Sequence, residues 1–228
     1  MNQTKIDWCT RSLNPVVGCT FGCPYCYARR HNDRHLPGYI PDFSKPQFFP
    51  DRLKQLSEKK PQVIFMDSMS DVADWEPEWL EAVCKAIAEN PQHRYLFLTK
   101  RIKNFFRRRH APWENLPMDV LDRFWVGVSV PNQKMVPVDF DSMGDFWSVE
   151  PLLEPIECNF TEMTKPHWVI IGAETGNRKG KVVPQREWVE AIVKQCQAAG
   201  IPIFMKESLS SIWGEPLIQD FPWEAHDD

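Results

Sequence analysis

Six short apolar runs are spaced along the chain and predict buried β-strands. They are VIFM (63–66), YLFL (95–98), FWVGVSV (124–130), FWSV (146–149), HWVIIG (167–172) and IPIFM (201–205). Continuous hydrophobicity, without alternation of polar residues, is typical of strands buried on both faces of a parallel sheet. The pattern therefore predicts an α/β protein.

Two segments between these runs repeat apolar residues at helical spacing. They are PEWLEAVCKAIAEN (77–90) and REWVEAIVKQCQAAG (186–200). Pro77 suits the first position of a helix, and each segment carries the apolar stripe of a helix that packs on a sheet. Because Cys84 and Cys196 lie on these stripes, we expect both thiols in the hydrophobic core.

The order of these elements is a repeated β-α unit, counting a first strand just before Cys19. This order favours a closed or partly closed parallel barrel of six or seven strands, and a doubly wound open sheet remains the alternative. The stretch 131–146 carries two prolines and a glycine, so we expect its crossover helix to be vestigial or missing. No repeat or linker interrupts residues 1–228, which predicts one domain.

Composition and charge narrow the class of protein. The chain has 228 residues, 43% apolar and 25% charged, with a formal net charge of −4. These values exclude a disordered tail and a chain with general affinity for polyanions. The first residues lack a basic stretch followed by an apolar one, and no run reaches the roughly 18 apolar residues of a membrane helix. We therefore expect a soluble cytoplasmic protein without a membrane partner.

The cysteines indicate metal binding. Seven cysteines, an odd number, argue against a secreted disulfide framework and for reduced thiols. NPVVGCTFGCPYCYARR (14–30) places Cys19, Cys23 and Cys26 at the spacing C-x3-C-x2-C. Three thiolates can hold three irons of a [4Fe-4S] cluster and leave the fourth iron open, whereas closed structural sites normally use four protein ligands. A zinc site that adds Cys9 is the structural alternative.

The predicted barrel gives these thiols a location. The three cysteines follow a predicted strand and precede YARRHNDR, which we expect to begin a helix. In parallel α/β barrels, functional groups gather on the loops that follow the carboxyl ends of the strands. The cysteines are therefore predicted to lie at the functional edge of the sheet.

The motif resembles the cluster-binding signature of the radical S-adenosylmethionine (SAM) superfamily, with aromatic Tyr25 directly before the third cysteine. The whole chain resembles the phage Gp37/Gp68-like (DUF5131-type) family within that group. The matching segments are WCTRSLNPVVGC, FMDSMSD, LFLTKR, WVGVSV, SVEPLL, VIIGAETG and QCQAAGIPIFMK, which cover nearly the full length. The resemblance implies a partial (β/α)6–7 TIM-like barrel of the radical SAM type.

The resemblance also implies a reaction and its cofactors. A reduced [4Fe-4S] cluster at Cys19, Cys23 and Cys26 passes an electron to SAM, and cleavage gives methionine and a 5′-deoxyadenosyl radical. The electron would come from a reducing partner such as flavodoxin or ferredoxin. The protein itself must bind and orient these groups and exclude water.

Candidate cofactor-binding residues lie at predicted strand ends. We expect Ser68, Ser70 and Asp71 to accept hydrogen bonds from the methionine amino group, and Ser129 and Glu150 to accept them from the ribose hydroxyls. Adenine is expected to contact Tyr25 and the backbone around Ile171 to Ala173, and Gly172 and Glu174 are further candidates for cofactor binding. A turn or helix cap explains any one of these polar residues equally well.

Basic residues at strand ends are candidates for holding an anionic substrate group. Lys100 and Arg101 follow the second apolar run and Lys206 follows the last, so we predict that these three are catalytic residues. The strip 100–110 adds Arg107, Arg108 and Arg109, which read as a solvated helix face or as a nucleic-acid contact.

The sequence indicates the substrate and the partners less directly than it indicates the cofactors. The chain has no residues to spare for a substrate domain, so a substrate or a partner protein is expected to cover the open side of the barrel. A nucleic acid or a nucleotide fits the basic strip. The alternative from a different class is a non-catalytic cysteine-metal module, with zinc or an Fe-S cluster, that serves as an interaction domain in a phage or mobile-element system.

Overall fold

The computed structural model describes residues 2–34, 39–106 and 111–224. The strands are β1 (Asn2–Gln3), β2 (Arg11–Ser12), β3 (Val16–Val17), β4 (Gln47–Phe48), β5 (Val63–Phe65), β6 (Arg94–Thr99), β7 (Phe124–Ser129), β8 (Phe146–Val149), β9 (Trp168–Ile171) and β10 (Ile203–Met205). The α-helices are α1 (Tyr27–Arg34), α2 (Pro77–Ala88), α3 (Ile102–Phe106), α4 (Met118–Leu121), α5 (Phe140–Met143), α6 (Arg186–Ala198) and α7 (Ser210–Trp213). The predicted α/β class is confirmed.

The chain divides into two compact units, Met1–Val126 and Gly127–Asp228, and strand β7 crosses the division. In the first unit, β2, β5 and β6 are parallel neighbours, and β1 joins the edge of β2 in the antiparallel direction. Strands β3 and β4 form a separate antiparallel pair. The prediction of a single domain stays a prediction.

The predicted first strand is partly wrong. A strand does lie just before Cys19, but this strand is β3, which pairs with β4 and not with the parallel strands. The first parallel strand is β2, which pairs with β5. It is only two residues long, and its Arg11 and Ser12 are half-buried, so no apolar run marks it in the sequence.

The second unit has parallel strands throughout, in the order β7, β8, β9, β10. Every residue of β8 and β9 is buried, which explains their continuous hydrophobicity. Gly127 lies inside β7 because a Cβ atom there would stand 2.5 Å from the ring of Phe146. The vestigial crossover is confirmed, since only a short 3-10 turn (Gln133–Met135) and the one-turn helix α5 connect β7 to β8.

The two predicted amphipathic helices are confirmed as α2 and α6. Helix α2 begins at Pro77, and both helices bury the stripe that the sequence indicates. Cys84 and Cys196 are 3% and 0% exposed, so both belong to the core as predicted. Across the described ranges, no helix combines the length and the hydrophobicity needed to cross a bilayer.

Buried thiols predict a loss of stability at alkaline pH. Burial raises the pKa of Cys84 from 9.0 to about 12 and that of Cys158 to about 12, and it also raises the pKa of Cys196. Because these thiols ionise near pH 9 only in the unfolded chain, their stabilising contribution is complete below pH 9 and is lost as the pH rises toward 12. Each thiol should lower the unfolding free energy by up to about 1.4 kcal/mol per pH unit in that range.

Urea unfolding at pH 8.0, 9.5 and 10.5 measures this loss. Cys84→Ala removes one of the three thiols, so the variant should lose stability less steeply with pH than the native chain. An identical slope in the two proteins would contradict the assignment of the loss to buried thiols.

Candidate functional site

The three cysteines lie on one loop, residues 18–26, between β3 and α1, which we call the cysteine loop. Its first residue, Gly18, has a φ of +113° and donates its N–H to Met69 O at 2.9 Å. Gly18 also forms a parallel bridge with Ser70, which follows β5. The cysteine loop therefore begins beside the segment that leaves the carboxyl end of β5.

Helix α1 fixes the other end of the cysteine loop. Tyr27 Oη donates to Ser68 O at 2.6 Å, which again contacts the segment after β5. From the first turn of α1, Arg29 Nη2 donates to Cys19 O at 3.3 Å and Arg30 Nη2 donates to Tyr25 O at 3.2 Å. The predicted helix after the cysteines is confirmed, and its arginines bind carbonyls of the loop that precedes it.

The three thiols are half-buried. Cys19 and Cys26 pack against an apolar cluster made of Val17, Ala28, Ile40, Phe43 and Met69. Cys19 Sγ accepts the N–H of Phe21 at 3.4 Å, and Cys26 Sγ accepts the N–H of Arg29 at 3.3 Å. Amide hydrogen bonds of this kind stabilise charge on sulfur.

Burial raises the pKa of Cys19 from 9.0 to about 12. The Phe21 amide opposes this rise, whereas the nearby carboxylates of Asp71 and Asp74 add to it and Arg101 opposes them. The Cys19 thiol is therefore protonated at neutral pH as long as no metal binds to it.

The number and spacing of the thiols in the cysteine loop suit a metal site, whereas the arrangement of their side chains does not. Three thiols on one short loop suit an iron-sulfur cluster, and no atom lies within 4 Å of a Cβ position at Gly22, so the loop is open there. Within the described ranges, however, no three His, Cys, Asp or Glu side chains are grouped as metal ligands. The four-cysteine alternative has no support here either, since Cys9 is buried and its thiol faces Ile6 O at 3.8 Å.

The predicted serines lie beside the cysteine loop, and both have partners. Ser68 Oγ donates to Asn14 Oδ1 at 3.0 Å, and the same oxygen accepts the N–H of Met69 at 2.9 Å. Ser70 Oγ accepts the Trp75 indole N–H at 3.0 Å. These bonds fix the segment after β5.

Asp71 is buried and ties two strand ends together. It caps the 3-10 helix Val72–Asp74 by accepting the N–H of Ala73 at 3.0 Å. It also accepts Thr99 Oγ1 at 2.5 Å and the N–H of Lys100 at 3.1 Å. The carboxylate proposed for the methionine amino group therefore also joins the segments that follow β5 and β6.

Asp74 is a site residue that the sequence reasoning missed. Its carboxylate accepts both the N–H and the Oγ1 hydroxyl of Thr20, each at 2.8 Å. Arg101 Nη2 lies 2.7 Å from Asp74 Oδ1 in an ion pair, and Arg101 Nη1 donates to Thr20 Oγ1 at 3.0 Å. Its position three residues after Asp71, on the segment that follows β5, was the available signal.

Asp67 is a second missed carboxylate. It is 2% exposed and accepts the N–H groups of Val72 at 3.1 Å and Leu98 at 3.0 Å. Burial raises its pKa well above the usual value, and the charge of Asp71 adds to this rise. Its role in these contacts is to hold the segment after β5 against strand β6.

The two adjacent cations after β6 differ in their partners. Lys100 Nζ lies 6.0 Å from the centroid of the Tyr25 ring, and Arg101 lies over the Phe21 ring at 5.7 Å. Arg101 is paired with Asp74, while among the described residues no carboxylate lies within 4 Å of Lys100 Nζ. The remaining arginines of the predicted basic strip, Arg107, Arg108 and Arg109, lie outside the described residues.

In the second unit, three predicted residues come together. Lys206 Nζ, after β10, donates to Glu150 Oε1, after β8, at 2.6 Å. A Cβ atom at Gly172 would lie 3.0 Å from Lys206 Cδ and 3.1 Å from Glu150 Cγ, so glycine leaves room for this pair.

The other two predicted residues of the second unit are Glu174 and Ser129, and both are buried. Glu174 is 4% exposed and binds Arg178 through both carboxylate oxygens at 2.6 and 2.7 Å. Ser129 ends β7 and is 1% exposed.

Comparison with known proteins gives one result. A family model described as "Protein of unknown function (DUF5131)" matches residues 3–217. No curated protein and no solved structure matches the chain.

Proposed function

The chain belongs to the DUF5131 family, and we propose that it is a radical SAM enzyme whose cysteine loop binds a [4Fe-4S] cluster. The observation that carries this proposal is the cysteine loop itself. Three thiols within eight residues are held against the segments that follow the parallel strands β5 and β6. When bound, the cluster supplies the electron that cleaves SAM reductively to methionine and a 5′-deoxyadenosyl radical.

Cys19, Cys23 and Cys26 are the proposed cluster ligands. Three thiolates leave one iron of a four-iron cluster without a protein ligand, as binding of SAM to iron requires. Metal binding is commonly coupled to local folding, so binding of a cluster would bring the three thiols to a common centre. The amide hydrogen bonds to Cys19 and Cys26 favour the ionised sulfurs of that state.

The proposed SAM contacts fall into two sets. In the first unit, Ser68, Ser70 and Asp71 are proposed for the methionine part and Tyr25 for the adenine edge. In the second unit, the proposed residues for ribose and adenine are Ser129, Glu150, Gly172 and Glu174. The ion pair with Lys206 orients Glu150, so its carboxylate is held ready to accept hydroxyl groups. Such preorganisation is what a cofactor site requires from the protein.

We propose that Lys100 is the cation that holds an anionic substrate group, and that the substrate is a nucleic acid or a nucleotide. Lys100 combines a charge that has no carboxylate within 4 Å among the described residues with a neighbouring aromatic ring, Tyr25. An aromatic ring beside a cation suits a nucleotide, because a base can stack on the ring while the cation binds the phosphate. Arg101 and Lys206, predicted from sequence for the same role, each have a carboxylate partner.

Lys100→Ala should weaken binding of a fluorescent single-stranded DNA oligonucleotide by about tenfold at low salt, because one charge-assisted contact is lost. The slope of log K against log salt should also become shallower, by somewhat less than one. Lys54→Ala is the matched control, since Lys54 is exposed and pairs with Asp51 in its own turn. Equal binding by the Lys100 variant would reject the role of Lys100, and no binding by the native chain would reject a nucleic-acid substrate.

Anaerobic reconstitution with iron and sulfide tests the proposed cluster. The account predicts about four irons and four sulfides per chain and a reduced paramagnetic signal that changes when SAM is added. Uptake of one zinc and no iron would instead favour the non-catalytic metal module. A cluster whose signal does not change when SAM is added would contradict the proposal of an open iron.

A flavodoxin or a ferredoxin is the proposed electron donor. A partner protein that covers the open side of the barrel is also part of the proposal.

A further inference from the structure

A polar network holds Thr20, the exposed residue that follows Cys19. Thr20 binds Asp74 twice, through its N–H to Oδ2 and through its hydroxyl to Oδ1, each at 2.8 Å. Arg101 completes a closed triangle, because Nη1 donates to the same hydroxyl at 3.0 Å while Nη2 pairs with Asp74 at 2.7 Å. We call these three residues the Thr20 clasp.

The charges of the clasp are sheltered from solvent. The side chains of Asp74 and Arg101 are 8% and 24% exposed, so their attraction is screened less than that of a surface pair. Asp71 supports the same guanidinium from 3.9 Å and is itself anchored by Thr99 and the backbone of Lys100. The clasp is therefore built on the segments that follow β5 and β6.

The position of Thr20 in the sequence connects the clasp to the Cys19 thiol. Thr20 lies between Cys19 and Phe21, and the Phe21 N–H points to Cys19 Sγ at 3.4 Å. Fixing Thr20 on both its backbone and its side chain fixes the direction of that amide and the position of the thiol. Mutation of a protein group that orients a metal ligand commonly lowers metal affinity by about 10- to 100-fold.

We propose that Asp74 and Arg101 are positioning residues that hold Cys19 in place through Thr20. The role of the clasp toward a cluster rests on the proposed function, whereas its hold on the Cys19 thiol does not. Arg101 is thus assigned to the architecture of the cysteine loop.

Alkylation of the metal-free protein by iodoacetamide tests the clasp. Peptide mass spectrometry follows Cys19, with buried Cys84 as the reporter of global unfolding. Asp74→Ala should speed alkylation of Cys19 by about tenfold, the size expected from losing charge-assisted bonds that protect the loop. Thr20→Val, which keeps every charge, should speed it severalfold, and Thr20→Ser should restore the native rate.

Two controls separate positioning from other effects. Asp51→Ala removes an exposed carboxylate and should leave the Cys19 rate unchanged. If Asp74→Ala speeds alkylation but Thr20→Val does not, the effect is electrostatic and the positioning role is overturned. The same conclusion follows if neither variant changes the Cys19 rate while both remain folded.

The loaded protein gives a second readout that is independent of turnover. In Thr20→Val, a chelator should remove iron severalfold faster than from the native protein, and the midpoint potential should shift because a hydrogen bond to a ligand sulfur is loosened. Native retention and potential in that variant would overturn the role toward the cluster. If the native chain binds no cluster, the proposed function fails, and the alkylation result still decides whether the clasp exists.

Discussion

Cys23→Ala should leave the protein folded but should reduce the iron content after reconstitution from about four atoms per chain to less than one. The reason is that a four-iron cluster held by only two thiolates has too few protein ligands to persist. Cys23 is the best of the three cysteines to substitute. Cys19 and Cys26 also pack against the apolar cluster, so their substitution would disturb packing as well as metal binding. Iron assay and the visible absorbance of the cluster measure the outcome.

The matched control for this loss is Cys84→Ala. It removes a thiol of the same kind, but one that is buried in the core and lies outside the proposed ligand set. The control should retain the full iron content. A Cys23→Ala protein that keeps four irons would contradict the assignment of Cys23 as a ligand.

Gly18→Val should destabilise the protein by about 3 kcal/mol or more. The φ of +113° suits only glycine, and a Cβ atom there would lie 2.8 Å from Pro46 Cα and 3.1 Å from Phe43 O, which are backbone atoms and cannot rotate away. The distortion falls directly before Cys19, so cluster binding should weaken with stability. Urea unfolding of the metal-free protein measures the first effect.

Gly22→Val separates backbone strain from steric collision at the same loop. Gly22 also has a positive φ, +76°, but nothing lies within 4 Å of the position of its Cβ. The free energy of unfolding of Gly22→Val should therefore fall only by the conformational cost of a positive φ, about 1–2 kcal/mol. Equal losses at Gly18 and Gly22 would show that the close approach of Pro46 and Phe43 contributes nothing.

The strands that were predicted from sequence are those in which most or all residues are buried. Strands β8 and β9 are fully buried, so their apolar runs mark them within one residue at each end. Strand β2 was missed because two half-buried polar residues carry no such signal, although it is the first parallel strand. Pairing of β3 with β4 depends on residues about 30 positions away, which no local pattern reports.

The neighbourhood of the cysteine loop could be predicted only in part. Carboxyl ends of adjacent parallel strands meet at one edge of a sheet, which brings the segments with Ser68 and Lys100 together without any knowledge of side-chain pairs. The cysteine loop follows β3, which is not one of the parallel strands, and it joins these segments through the bridge of Gly18 with Ser70. The rule for parallel strands does not say which acid binds which base. Lys100 and Arg101 are equivalent in the sequence, and the ion pair of Arg101 with Asp74, which no local pattern reports, distinguishes them.

The central claim is that this chain cleaves SAM, and the most direct measurement is anaerobic formation of 5′-deoxyadenosine. The reconstituted protein is reduced with dithionite, mixed with SAM and compared with Cys23→Ala at equal protein concentration. The account predicts 5′-deoxyadenosine from the native protein and none above background from the variant. A native protein with a full cluster that forms no 5′-deoxyadenosine, alone or with nucleotides or single-stranded DNA added, would contradict it.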